Sequence, residues 1–107
     1  MLLLLRAERW TAWNKPGGIP VFPPHADPDG DCVFHRAKLT ADGWEPRFAG
    51  GLAHRLDTPT SGQVIGANTP EDLAWIRDLF ATGQLRKVYR FVSDGAVSWD
   101  EHTIKMP

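Results

Sequence analysis

The stretch Gly50-Gly51-Leu52-Ala53-His54-Arg55-Leu56-Asp57-Thr58-Pro59-Thr60-Ser61-Gly62 sets the strongest limit on what this chain can become. It crowds an imidazole, a guanidinium and a carboxylate into four consecutive positions, with glycines on either side. Leu52 and Leu56 are its only large apolar residues, so it offers neither a helical stripe nor an alternating strand face. Gly50-Gly51 and Ser61-Gly62 permit sharp backbone changes, and Pro59 biases Thr58 toward an extended conformation. The expectation is a tight loop that holds charged groups in fixed positions. In an extended segment Arg55 and Asp57 fall on the same side.

The rest of the chain frames that loop. A length of 107 residues predicts one domain at most, burying roughly 60–65% of its extended surface on folding. Ten glycines and nine prolines predict many turns and short elements. The formal net charge of -1 excludes a polycation that grips nucleic acid indiscriminately, so any nucleic-acid binding requires a local basic patch. Cys32 is the single cysteine, which fits a reducing, cytoplasmic setting. The apolar run Leu2–Leu5 stops at Arg6, far short of the 20 or so residues of a membrane helix, and no membrane partner is expected.

Taken in order, Leu2–Leu5 and Arg9–Trp13 read as a tight hairpin around Arg6-Ala7-Glu8. Trp10 and Trp13 fall on opposite strand faces, so one of them is expected against a loop or solvent. Asn14-Lys15-Pro16-Gly17-Gly18 closes the unit as a turn. A polar surface loop follows from Pro23, then a short element over Val33–Leu39. Gln63–Ala67 is apolar enough for a buried strand. Asn68 or Thr69 caps a helix with Pro70 in its first turn and Glu71 and Asp72 near its positive end. Leu73, Ile76, Leu79 and Phe80 form the helix's apolar stripe, Trp75 flanks it, and Gly83 ends it. Lys87–Val92 alternates as a strand with Val88, Arg90 and Val92 on one face and Lys87, Tyr89 and Phe91 on the other. Ser93-Asp94-Gly95 is a turn, and Val97–Met106 is one more ragged strand.

Other chemistries fit these residues poorly. Asp27, Asp29 and Asp31 begin like a calcium loop, but Cys32 and Lys38 stand where glycine and glutamate are needed. Cys32 and His35, with His25, lack a clear fourth zinc ligand; no metal site is expected. Ser61, His54 and Asp57 are hydrolase residue types without a nucleophile elbow. Neither a dinucleotide fingerprint nor a phosphate-binding Gly-x-x-x-x-Gly-Lys loop is present.

Three segments carry a resemblance. His54-Arg55-Leu56-Asp57 followed by Thr60-Ser61-Gly62 resembles the signature of the RluA-type RNA pseudouridine synthases. Asn14-Lys15-Pro16-Gly17-Gly18-Ile19-Pro20-Val21 is similar to the family's early Asn-Lys-Pro-x-Gly-x-x-Val segment, and Lys87-Val88-Tyr89 to its Lys-x-Tyr segment. The resemblance spans residues 15–90 in family order. It implies an α+β fold, a mixed and mainly antiparallel sheet with one principal helix, in which residues 1–107 form a partial pseudouridine synthase catalytic domain.

By that resemblance Asp57 is the catalytic carboxylate. Isomerising uridine breaks an N-glycosidic bond and rejoins the same base through carbon, which needs a nucleophilic or charge-stabilising carboxylate and no cofactor. The base must leave its stack to reach it. Arg55 then contacts RNA and helps fill the space left by the flipped base, a role suited to a guanidinium; a salt bridge ordering the loop is the alternative. His54 contacts RNA or fixes the loop by hydrogen bonding. Tyr89 stacks on the uracil and takes part in removing its C5 proton, or packs in the sheet. Lys15 lines the catalytic cleft, or is a solvated loop residue. Arg86, Lys87 and Arg90 form a phosphate-binding rim, or a solvated face. The tail from Trp99 to Pro107 does not match the family's late Arg-, His-, Gln- and Ile-rich segment, which supplies the basic partner of the aspartate. Three readings stand: a synthase of structured ribosomal or transfer RNA, completed by a homodimer or a separately encoded complementary half-domain; an inactive RNA-binding module; and a truncated remnant or an interaction protein.

Overall fold

The computed structural model describes residues 2–92 and 94–95. β1 (Leu2–Arg6) and β2 (Trp10–Lys15) form an antiparallel hairpin, and β3 (Gly62–Ala67) pairs antiparallel with the other edge of β2. The order β1-β2-β3 makes β2 the central strand of a three-stranded sheet. A bulge between Leu3 and Leu5 interrupts the outer pairing. One short helix, α1 (Val33–Arg36), and one long helix, α2 (Pro70–Ala81), complete an α+β arrangement. Pro46–Gly51 forms a kinked run of 3-10 turns that leads into the Asp57 loop.

Strand alternation gives the sheet two different coverings. Trp13 and Val64 are cross-strand partners on one face, where they pack with Val21, Val33, Leu52 and Leu56 under the irregular stretch from Ile19 to Leu39. Trp10 and Ala67 face the other way and pack with Leu73 and Ile76 of α2. The sequence expectation for the two tryptophans holds: Trp13 lies against loops and Trp10 against the helix.

Helix α2 begins as its composition dictates. Thr69 caps it by accepting from the Asp72 N–H, and Pro70 occupies the first turn. Arg9 ties this end to the hairpin, donating to Asp72 at 2.8 Å and lying 3.9 Å from the Trp75 ring centroid. That guanidinium holds the Asp72 carboxyl below the usual carboxylate range. Asn68 closes the same corner, donating to the carbonyls of Ala7 and Glu8 and accepting from Thr11.

One expected element is absent. Residues 87–92 form no strand; Val88, Phe91 and Val92 are 87%, 78% and 100% exposed. Alternation defines two faces but supplies no partner, and among the described residues no strand lies alongside this segment to complete its hydrogen bonds. Ser93 and the expected strand over 97–106 fall outside the described residues.

Candidate nucleic-acid interface

The charged stretch is a loop pinned at both ends. At its start, Gly50 and Gly51 adopt positive φ. Gly51 passes so close to the carbonyl of Ala67 and the Trp44 ring that any Cβ would overlap both. The chain then runs beside the free edge of β3. Leu52 bridges to Gly66, the Ala53 N–H donates to Ile65 O at 2.9 Å, and the Ile65 N–H donates to His54 Nε2 at 3.1 Å. The imidazole therefore accepts the strand-edge hydrogen bond that a neighbouring backbone carbonyl would otherwise take.

This contact also fixes the state of His54. A ring whose Nε2 accepts carries its proton on Nδ1 when neutral, and Nδ1 is buried without a hydrogen-bond partner. Burial, and then the nearby Lys87 charge, lower the His54 pKa below its ordinary value. The Phe80 ring meets the imidazole edge-on, 5.9 Å between centroids. Of the two roles weighed for His54, the geometry displays loop fixing.

The second anchor is Lys15. Its side chain is fully buried, at 0% exposure, and its ammonium donates to the carbonyls of Pro16, Ile19 and Thr58. Burial lowers its pKa, while three carbonyl acceptors match the three donors of an ammonium. The Gly18 N–H also donates to Thr58 O, at 2.8 Å. Gly17 lies so near that a Cβ there would stand 2.8 Å from Pro59 O. Lys15, read from sequence as a cleft-lining or solvated residue, is closed off from solvent; it grips the residue after Asp57 from behind. A lone lysine in a Pro-Gly turn gives no sign of this in sequence, because Thr58 lies far along the chain.

Between the anchors, Leu56 packs into the Trp13 core while Arg55 and Asp57 are exposed on either side of it. The Thr60 N–H donates back to Asp57 O at 2.9 Å, folding the carboxylate onto a tight turn. Arg55 and Asp57 form no ion pair among the described residues; the guanidinium lies 5.7 Å from the Phe22 ring centroid instead.

A cavity of about 580 Å³ lies beside this loop. Its lining includes His54, Leu56, Thr60, Gln63 and Phe80 together with Arg86, Lys87, Tyr89 and Arg90. Tyr89 is 53% exposed, and the Lys87 ammonium is 5.2 Å from the Phe80 ring centroid. The structure thus gathers Tyr89 and the three basic residues against the loop, as their proximity in sequence suggests. Asp57 does not line this space, although its neighbours Leu56 and Thr60 do. Three of the residues weighed and rejected as metal ligands make other contacts. The buried Cys32 sulfur caps α1 by accepting from the His35 N–H, His35 bonds the Pro28 carbonyl, and Asp31 pairs with Arg36.

Residues 9–107 match the family described as RNA pseudouridylate synthase. The chain is 34% identical over 105 residues to the "Ribosomal large subunit pseudouridine synthase D" of Zymomonas mobilis, covering 94% of this chain and 32% of that protein. It is 32% identical over 90 residues to the protein of the same name from Xylella fastidiosa, covering 81% of this chain and 26% of that one. A Synechocystis protein named as an uncharacterised RNA pseudouridine synthase is 28% identical over 109 residues, which are 98% of this chain and 33% of its own length. The chain belongs to the RNA pseudouridylate synthase family. It spans about a third or less of the length of these relatives.

Proposed function

We propose that residues 1–107 are part of a pseudouridine synthase catalytic domain that isomerises uridine in structured RNA, with Asp57 as the acting carboxylate. The supporting observation is the pinned loop. Asp57 is exposed on a turn whose two flanks are tied to the sheet, by His54 on β3 and by Lys15 on Thr58, and a group fixed before substrate arrives loses little entropy on reaction. Arg55, two residues before Asp57, is exposed to meet phosphate or base, and Tyr89 with Arg86, Lys87 and Arg90 offers a ring and three cations on the wall of the adjoining cavity. No cofactor is required. The names of two relatives make large-subunit ribosomal RNA the first substrate to assay, with transfer RNA second.

A second reading, an RNA-binding module without turnover, is favoured by one observation: Tyr89 lines a cavity that Asp57 does not. The proposed completion is a second copy or a separately encoded complementary half-domain that brings these walls together. The deciding experiment measures pseudouridine in both RNAs after incubation with the wild-type chain and with Asp57→Asn. Product from wild type alone supports the enzyme; RNA binding with no product from either supports the module.

A further inference from the structure

Among the described residues two ion pairs form, Arg9–Asp72 and Arg36–Asp31, and neither uses Arg47 or Arg77. Both of these arginines are exposed. Both nonetheless converge on one ring: their guanidinium carbons lie 5.3 Å and 4.7 Å from the centroid of Phe48. Phe48 and Trp44 are half-buried and pack against the Ala67, Leu73 and Ile76 core, so the ring on which the cations rest is held by the sheet and α2. Those two distances put the guanidinium carbons no more than about 10 Å apart, and two like charges that close, with no carboxylate paired to either among the described residues, repel each other and favour an anion nearby.

Arg77, though not Arg47, also lines a groove of about 220 Å³ with Gly43, Trp44, Glu45, Pro70 and Leu73. That is below the roughly 300–1,000 Å³ of pockets that enclose a small molecule, so the site suits a passing backbone rather than a captured base. A guanidinium resting near an aromatic ring keeps a planar fork of N–H donors, which suits phosphate oxygens taken in pairs. Glu45, on the same groove, and Asp78, next to Arg77 on α2, oppose an anion and limit the patch to the two arginines.

We infer that Arg47 and Arg77, braced on Phe48, form a phosphodiester-binding site for the RNA backbone, separate from the Asp57 loop. The placement gives this a direction. Arg55 rests on Phe22, which packs with the Trp13 side of the sheet, whereas Phe48 packs with the α2 side. An RNA held at both places contacts residues braced on two different apolar clusters, so recognition extends beyond the nucleotides at the motif.

The inference rests on the RNA reading, and the test separates the two. Binding of a large-subunit ribosomal RNA fragment is measured by fluorescence anisotropy across a salt series. The proteins are the wild-type chain, the Arg47→Gln/Arg77→Gln pair, Arg55→Gln and Glu45→Gln, each checked by circular dichroism. Removing two phosphate contacts should lower the salt slope by about 2 and weaken binding at low salt, while Glu45→Gln tightens it. The loss should add to that of Arg55→Gln. If wild type binds and the arginine pair binds equally with the same slope, the backbone site is overturned and the RNA reading stands. If wild type binds no RNA, both fall. If polyaspartate competes as well as RNA of equal charge, the patch is a general anion surface and the assignment to RNA is overturned.

Discussion

The ammonium of Lys15 donates to the carbonyl oxygen of Thr58 at 3.0 Å, joining the end of β2 to the residue that follows Asp57. The bond makes the early Asn-Lys-Pro-Gly turn and the later His-Arg-Leu-Asp loop one mechanical unit. The lysine matters to the carboxylate through the backbone, without touching it.

Replacing Lys15 by Met should therefore loosen the loop more than it opens the core. Methionine fills the space but takes the Lys15 donor from the Pro16 and Ile19 carbonyls and leaves Thr58 O only the Gly18 N–H, at a cost of about 1–3 kcal/mol for each acceptor left unsatisfied. Amide exchange at Gly18, whose N–H shares the Thr58 carbonyl, should quicken, with a lower melting temperature. Unchanged Gly18 protection would remove the clamp from the account.

His54 predicts a pH dependence. Its folded pKa lies below the ordinary histidine value, so between the two the unfolded chain holds more protons than the folded one and stability rises with pH. The contribution is fully present above about pH 6.5 and is lost as pH falls toward the folded pKa. Urea midpoints at pH 5.5 and 7.5 should differ in that sense. His54→Gln should flatten the difference while retaining an acceptor for the Ile65 N–H; a slope that survives the substitution assigns it elsewhere.

Gly51 and Gly83 give a controlled comparison. Both have positive φ, which costs an alanine roughly 1–2 kcal/mol. A Cβ at Gly83 meets open space, whereas one at Gly51 overlaps the Ala67 carbonyl and the Trp44 ring. Gly51→Ala should lower the melting temperature well beyond Gly83→Ala. Equal losses would mean that the close approach under Trp44 relaxes freely.

Asp57→Asn should leave folding intact. The carboxylate is exposed and takes part in neither ion pair of the described residues, and surface changes of this kind stay within about 0.5 kcal/mol. A clear fall in the melting temperature would give Asp57 a structural duty that no contact here accounts for.

The elements that were readable in sequence are those whose signals are local. Thr69, Pro70 and the Leu73–Ile76 stripe specify a helix within a few positions, and the Leu2–Trp13 hairpin and the Gln63–Ala67 run needed only their own patterns. The segment 87–92 carries an equally good alternation, yet a strand is a relation between two segments and none among the described residues lies beside this one. The site divides the same way. The exposure of Arg55 and Asp57 around a half-buried Leu56 follows from alternation in an extended chain. The burial of Lys15 and the bond from Ile65 to His54 do not, because each depends on a backbone group brought in from a distant part of the fold. Charged residues read from sequence default to solvent; here two of them hold the loop that presents the others.

β2 carries Trp13 into one apolar cluster and Trp10 into the other, three positions apart on a single strand. Neither side of the sheet can therefore come undone while the other keeps its shape, since peeling this strand empties both. Indole fluorescence and far-ultraviolet ellipticity should collapse together in one sharp denaturation, so that a small molecule with two separate oily interiors behaves as though it had one.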